Sequence, residues 1–364
     1  MALSRVWPSS SSTSRRRSFD KDRKNAAAFG LTVTGIASCR VEGVAIRFIL
    51  PLATVTLSLV LSALAALTVC FPPCAFPQWE LVVLGIAQDA GIPHLGCEKG
   101  VCSDIKAGKR KPEKVACLGL RERASGAAYL FDATPDVRQQ LIALNGGQRP
   151  SGVFLTHAHM GHYSGLLYFG RESVDWKGVP VYGSARMGAF LSSNDPWRFL
   201  ISNGNLAFRR LDPDRGVSLP GGVKVTAFRV PHRDEFTDTF GYLIEGPSRK
   251  ALFIPDIDRW EKWAEPANPG RPLILEYAAR ADLLFLDGTF SSPEEVGARD
   301  IAQIPHPMMP ATRELLAGIA RPAGAKQKKG EAKRAELWFI HLNHTNTALV
   351  MDRDVAREGM VFRL

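Results

Sequence analysis

The chain has 364 residues, 45% of them apolar, and a formal net charge of +10. That is ample for a packed core and excludes an intrinsically disordered chain. The charge does not point to nucleic acid. Residues 1–47 hold nine basic against three acidic residues, a net of +6, and the basic clusters Lys106 to Lys114 and Lys326 to Arg334 lack the interleaved aromatic rings that stack on bases.

Residues 1–47 read as a basic, Ser/Arg-rich leader, and a translation start near Val41 or Val44 would remove most of it. Residues 48–76 contain an almost unbroken apolar run from Phe48 to Phe71, about the 20 residues that cross a bilayer. The segment is a targeting element rather than part of the fold. A signal peptide cut after Ala75 and a retained anchor both fit its length, with Arg47 and the basic residues before it on the cytoplasmic side. The small residue that precedes a lipidated cysteine is missing before Cys70. The expectation is an exported protein, periplasmic or extracellular, or else one anchored in the membrane through this segment alone. The remainder, 79–364, reads as a single domain.

From Trp79 onward, β-branched and aromatic runs alternate with loops and helical stretches. Strands are predicted over Leu81–Ile86, Ala127–Ala133, Val153–Thr156, Val179–Tyr182, Val223–Val230, Phe240–Ile244, Ala251–Ile254, Leu283–Leu286 and Leu337–Ile340. Helices are predicted from a Thr134 cap through Val137 and Leu141 to Leu144, and from a Thr312 cap through Leu315 and Ile319. The mixture is α/β. Pro322–Arg334 reads as a Gly/Lys/Ala-rich loop inside that one domain.

The strongest chemical signal is Leu155-Thr156-His157-Ala158-His159-Met160-Gly161-His162 at the end of an apolar strand. An extended His-x-His puts both imidazoles on one side of the chain. A third histidine three residues later turns back to the same point if a helix starts there. Convergent neutral imidazoles are what Zn²⁺ needs. The plain alternative is a His-rich surface turn, against which the strand-then-helix context argues. His232 in Arg229-Val230-Pro231-His232, Asp256 in Phe253-Ile254-Pro255-Asp256 and His341 in Trp338-Phe339-Ile340-His341 also end strands. Ligands spread over several strand tips are how an α/β scaffold builds a site.

These residues resemble the metallo-β-lactamase superfamily, whose metal motif reads Thr-His-x-His-x-Asp-His, followed on later strands by a His, an Asp and a final His. The resemblance spans roughly Trp79 to Leu364. The strings Leu84-Gly85-Ile86-Ala87-Gln88-Asp89, Leu286-Asp287-Gly288-Thr289-Phe290 and Phe339-Ile340-His341-Leu342-Asn343-His344-Thr345-Asn346 are similar to the branch containing coenzyme PQQ biosynthesis protein B and its phosphodiesterase relatives. The resemblance implies a four-layer αββα sandwich with metals at one edge. It implies that His157, His159 and His232 hold a first Zn²⁺, that Asp256 bridges, and that His162 and His341 serve a second. Gly161 stands where the family has Asp, so one tight and one weak site are expected, and Asp89 or Asp258 is a candidate to repair the second.

Asp89 is the candidate for moving a proton during catalysis, the alternative being a turn cap beside Gly91. Asp132, Asp234 and Asp287 are candidates for orienting the ligating histidines, or are turn-forming residues at strand ends. His94, Cys97 and Cys102 are soft ligands in one loop. With His344, which similarity to the phosphodiesterases supplies, they would close a structural zinc, against which a Cys97–Cys102 disulfide or free thiols compete. Cys117 reads as buried, and His306 as packed in a proline-stiffened loop. The function expected is a metal-dependent hydrolase acting on a small ester, lactone or phosphodiester. A PQQ-biosynthesis-type oxidative metalloenzyme, or a metal-binding relative without catalysis, are the alternatives.

Overall fold

The computed structural model describes residues 78–364 apart from 266, 267, 269, 298, 299, 301–303, 326–329 and 331. The leader and the apolar run at 48–76 lie outside the described residues. Among the described residues no helix is long and apolar enough to cross a membrane.

Among the described residues, fourteen strands form two seven-stranded sheets. The first contains β1 (Trp79–Gly85), β2 (Cys117–Glu122), β3 (Ala128–Phe131), β4 (Gly152–Phe154), β5 (Val179–Gly183), β6 (Leu206–Arg210) and β14 (Val361–Arg363), in the order β14-β1-β2-β3-β4-β5-β6. The second contains β7 (Gly216–Ser218), β8 (Lys224–Val230), β9 (Thr239–Glu245), β10 (Lys250–Ile254), β11 (Leu283–Asp287), β12 (Ala320–Pro322) and β13 (Ala335–Ile340), in the order β12-β13-β11-β10-β9-β8-β7.

The near-continuous apolar runs follow from strands covered on both faces. In β1, Leu81 and Val83 point into the core between the sheets, while Val82 and Leu84 point to the outer layer with Val137, Leu141 and Leu144 of the helix Val137–Asn145. In β4, Phe154 faces inward and Val153 outward. Phe154 stacks on Phe131 at 5.2 Å, and both rings meet Tyr242 of the opposite sheet edge-on at 5.7 and 5.5 Å. Each fully buried ring of this kind contributes roughly 2–3 kcal/mol from burial. The helices Ile274–Ala279 and Met309–Leu315 belong to the same core through Ile274, Ala278 and Met309.

Every predicted strand is present, with shifted ends. β2 (Cys117–Glu122) was not foreseen, because Gly119 and Arg121 interrupt its apolar pattern. A Cβ at Gly119 would lie 2.5 Å from Leu144 Cδ1, so glycine lets the helix dock, and Arg121 pairs with Glu80 at 2.8 Å. Both predicted caps are corrected. The first helix starts at Val137, and Thr134 braces it from outside, accepting from Asp136 N–H (3.0 Å) and donating to Gln140 (2.7 Å). Thr312 lies inside Met309–Leu315, where its hydroxyl accepts from buried Trp260 Nε1–H at 2.8 Å.

Strand direction fixes where the site forms. β1 runs antiparallel to β2 and β2 to β3, while β3, β4 and β5 are parallel, so β1 and β4 end on one edge of the first sheet. In the second sheet β8 and β10 are both antiparallel to β9, and β10, β11 and β13 are parallel, so β8, β10 and β13 end together. The predicted metal-binding residues all follow the ends of these strands.

Candidate metal centre

Leu155 continues β4 by donating its N–H to Tyr182 O (2.9 Å), which delivers His157 and His159 at the sheet edge. A short helix, Met160–Tyr163, then turns His162 back toward them. His232, Asp256 and His341 arrive from the tips of β8, β10 and β13.

Four atoms converge. His157 Nε2 lies 2.9 Å from His159 Nδ1, and His232 Nε2 lies 3.2 Å from the same nitrogen. Asp256 Oδ2 is 3.4 Å from His157 Nε2 and 3.2 Å from His232 Nε2. A tetrahedral zinc with metal–nitrogen distances of about 2.0–2.1 Å separates its ligand atoms by about 3.3–3.4 Å. These four spacings lie near that edge length and all four atoms lie within 4.8 Å of one another, so His157, His159, His232 and Asp256 could hold a tetrahedral cation.

A second group, Asp89, His162 and His341, adjoins the first. Asp89 Oδ1 is 3.1 Å from His162 Nε2 and 3.8 Å from His341 Nε2. Asp256 Oδ2 is 3.9 and 3.7 Å from the same two nitrogens, which puts one carboxylate oxygen between both groups.

The surroundings hold each ring. Asp132 Oδ2 accepts from His162 Nδ1–H (2.7 Å) and from Thr156 Oγ1–H (3.0 Å). Thr156 Oγ1, its proton thus committed, accepts from His157 Nδ1–H at 3.0 Å. Thr289 works likewise, donating to Asp287 Oδ1 (2.7 Å) and facing His341 Nδ1 at 3.2 Å. In each case Nδ1 is engaged and Nε2 is the nitrogen aimed at the centre. Asp132 and His341 take left-handed backbone conformations, φ 72° and 64°, that aim them inward.

Burial pushes the His157 and His159 imidazoles below the ordinary histidine range, keeping them neutral and able to ligate. For His162, burial acts the same way, but Asp132 and Asp89 outweigh it and raise it well above that range. His232 is raised to about 10, Asp256 overcoming its burial. Burial would raise Asp89, but His162 and His341 beside it hold its carboxyl well below the usual range. The carboxylates make this a place for positive charge.

Several expectations are refined. Asp234 is exposed, and its carboxylate meets Thr239 Oγ1 at 3.5 Å rather than a ligating histidine. The carboxylate that meets His159 Nε2, at 3.0 Å, is Glu235, which the sequence reading passed over. Asp287 orients His306 directly (2.8 Å) and His341 only through Thr289. His306 is buried, as expected, with Nδ1 3.3 Å from Asp256 Oδ1. Asp258 faces His232 Nδ1 at 3.4 Å and Lys262 at 2.8 Å, on the side away from His162.

In the neighbouring loop, Cys97, Cys102 and His344 come together, with His344 Nδ1 3.6 Å from Cys102 Sγ. His94 stays outside that group: its Nδ1 is on Leu95 O at 2.8 Å and its ring stacks on His344 at 4.4 Å. Both cysteines, and buried Cys117, are free thiols, so no disulfide joins Cys97 to Cys102.

The two-sheet fold with histidines and aspartates gathered at one edge defines a metallo-β-lactamase-type protein, and residues 128–328 match the family described as Beta-lactamase superfamily domain, to which the chain belongs. Among curated proteins it is similar to coenzyme PQQ synthesis protein B of Methylobacterium nodulans, 24% identical over 324 residues that cover 78% of this chain and all of the relative. The same protein of Rhodopseudomonas palustris is 27% identical over 302 residues, covering 74% of this chain and 91% of the relative. Among solved structures, Zn²⁺-bound PqqB from Methylobacterium extorquens superposes with a TM-score of 0.61 at 21% identity, over 78% of this chain and all of that one. A diphosphatase of the PhnP family gives 0.53 at 20% identity, over 79% and 97%. The fold expected from the sequence is the one found, and these curated relatives carry the name of the branch that the local strings resemble.

Proposed function

We propose that this protein is a metal-dependent hydrolase that cleaves a small ester, lactone or phosphodiester. The observation that carries the reading is the set of four ligand atoms, drawn from both sheets, all within 4.8 Å of one another and four of their six spacings 2.9–3.4 Å, near the edge of a tetrahedral zinc site. His157, His159, His232 and Asp256 would hold the ion, and the zinc present in the PqqB structure supports zinc here. Zn²⁺ in such a site supplies Lewis-acid polarisation and a bound water with its pKa lowered from about 15.7 toward 7.

The chain's own side chains prepare the site. Thr156 and Asp132 fix the ring orientation of His157 and His162, and Glu235 fixes His159. Burial keeps water from competing for the imidazole lone pairs. A cavity of about 270 Å³, lined by Gln88, Asp89, Gly91, His94, Asn343 and His344, adjoins Asp89. Its size and polar wall suit a small molecule. An imidazole-rich tetrahedral set favours hydrolysis over the oxidative alternative, and the apolar run from Phe48 to Phe71 supports an exported protein.

The test is metal analysis of the purified chain together with hydrolysis of 4-nitrophenyl acetate, a γ-lactone and bis(4-nitrophenyl) phosphate. The expected result is bound zinc, at least one substrate cleaved, and a loss of at least about 100-fold in His159→Ala. A chain that takes up no metal from zinc-supplemented buffer, or a His159→Ala variant as active as wild type, overturns the proposal.

A further inference from the structure

The geometry points to Asp89 as a metal ligand that replaces the carboxylate missing at position 161, so that Asp89, His162, His341 and Asp256 form a second cation site beside the first. The inference rests on the metallohydrolase reading and deepens it.

Gly161 shows the replacement in steric terms. A Cβ built there would lie 2.3 Å from Asp89 Oδ1, 2.6 Å from Asp89 Cα and 3.0 Å from Asp89 Cγ. The volume that a side chain at 161 would fill is the volume that Asp89 occupies. A carboxylate at 161 and this placement of Asp89 are mutually exclusive, and the chain has the second.

Hydrogen bonding shows what the occupied volume is for. Asp89 Oδ1, His162 Nε2 and His341 Nε2 are buried and make no hydrogen bond among the described residues. A buried polar atom left without a partner costs about 1–3 kcal/mol, so three facing one another need a shared partner. His162 Nδ1 is already committed to Asp132, so Nε2 is the ring nitrogen that faces Asp89 and His341. An imidazole nitrogen and a carboxylate oxygen 3.1 Å apart can share a cation placed between them. Asp256 Oδ2, 3.9 and 3.7 Å from the two imidazoles, supplies the fourth ligand and links the two sites. Asp258, the other candidate for this repair, is engaged by Lys262 on the far side of His232.

The assignment changes the role of Asp89 from proton carrier to ligand, and it restores the negative charge that Gly161 removes. With the charge restored, both sites have the carboxylate complement of a two-metal centre.

The test is zinc stoichiometry and affinity of the full-length chain, measured by elemental analysis and by competition with a chromophoric chelator. Asp89→Asn keeps the side-chain volume and removes the charge, so it serves even where Asp89→Ala folds poorly. The expected result is one equivalent fewer than wild type after gel filtration, or at least about tenfold weaker binding of the last equivalent, with binding at the His157 site retained. Gly161→Ala, which displaces Asp89, should weaken the same equivalent. Asp89→Asn with the full wild-type count and affinity overturns the inference while leaving the hydrolase reading intact. A wild type that binds no zinc overturns both.

Discussion

Removing the metal should destabilise the fold by an amount that the site geometry sets. Four candidate ligand atoms within 4.8 Å of one another present nitrogen and carboxylate donors to one point, an arrangement that a cation stabilises in the folded chain only. At free zinc about 1,000 times the dissociation constant, linkage gives about 4.1 kcal/mol of stability. For a domain of this size, a shift of about 2–4 °C per kcal/mol makes the thermal midpoint fall by roughly 10 °C in EDTA. Differential scanning fluorimetry of zinc-loaded and chelated protein at matched ionic strength measures it. The His157→Ala/His232→Ala variant, which lacks two of the four ligands, is the control for chelation elsewhere in the chain. A wild-type drop no larger than that of the variant refutes the reasoning, because the four atoms would then hold nothing.

Asp132→Asn replaces the carboxylate that fixes His162 and, through Thr156, His157, and should weaken zinc binding about 10–100-fold in chelator competition without unfolding the chain. Gly165→Ala would set a Cβ 2.1 Å from Thr134 O and 2.9 Å from Ala133 O; with backbone on both sides the cost should reach about 3 kcal/mol in urea unfolding, and a change under about 0.5 kcal/mol would contradict the packing described. Because Cys97, Cys102 and His344 lie close enough to share an ion, Cys102→Ser should lower the zinc count by one equivalent, whereas Cys117→Ser, at a fully buried thiol in β2, should leave it unchanged.

The strands that carry ligands were legible because both their faces are buried, so each reads as an apolar run that stops at a polar residue: Phe154 before His157, Ile254 before Asp256, Ile340 before His341. The site was legible for the same reason, since a strand tip is where such a run can turn toward chemistry. What escaped depends on neighbours distant in sequence. Glu235 reads as one more acidic residue in an exposed loop until His159 is seen 3.0 Å away, and Asp234 beside it is an equal candidate on paper. β2 was hidden because its glycine answers to Leu144 on a helix, not to its own strand. The loss at Gly161 was legible, with Asp89 and Asp258 as candidates to make it good, but choosing between them needed the contacts of Asp89 with His162 and of Asp258 with Lys262.

Asp132 and His341 hold left-handed backbone angles that glycine adopts freely and that cost other residues about 1–3 kcal/mol. A chain selected for robustness alone would drift toward glycine at these two places, gaining toughness as the cluster of candidate metal ligands came apart. Libraries screened by heat survival should therefore return inactive winners here, and engineering of this scaffold should keep both positions fixed while seeking sturdiness elsewhere.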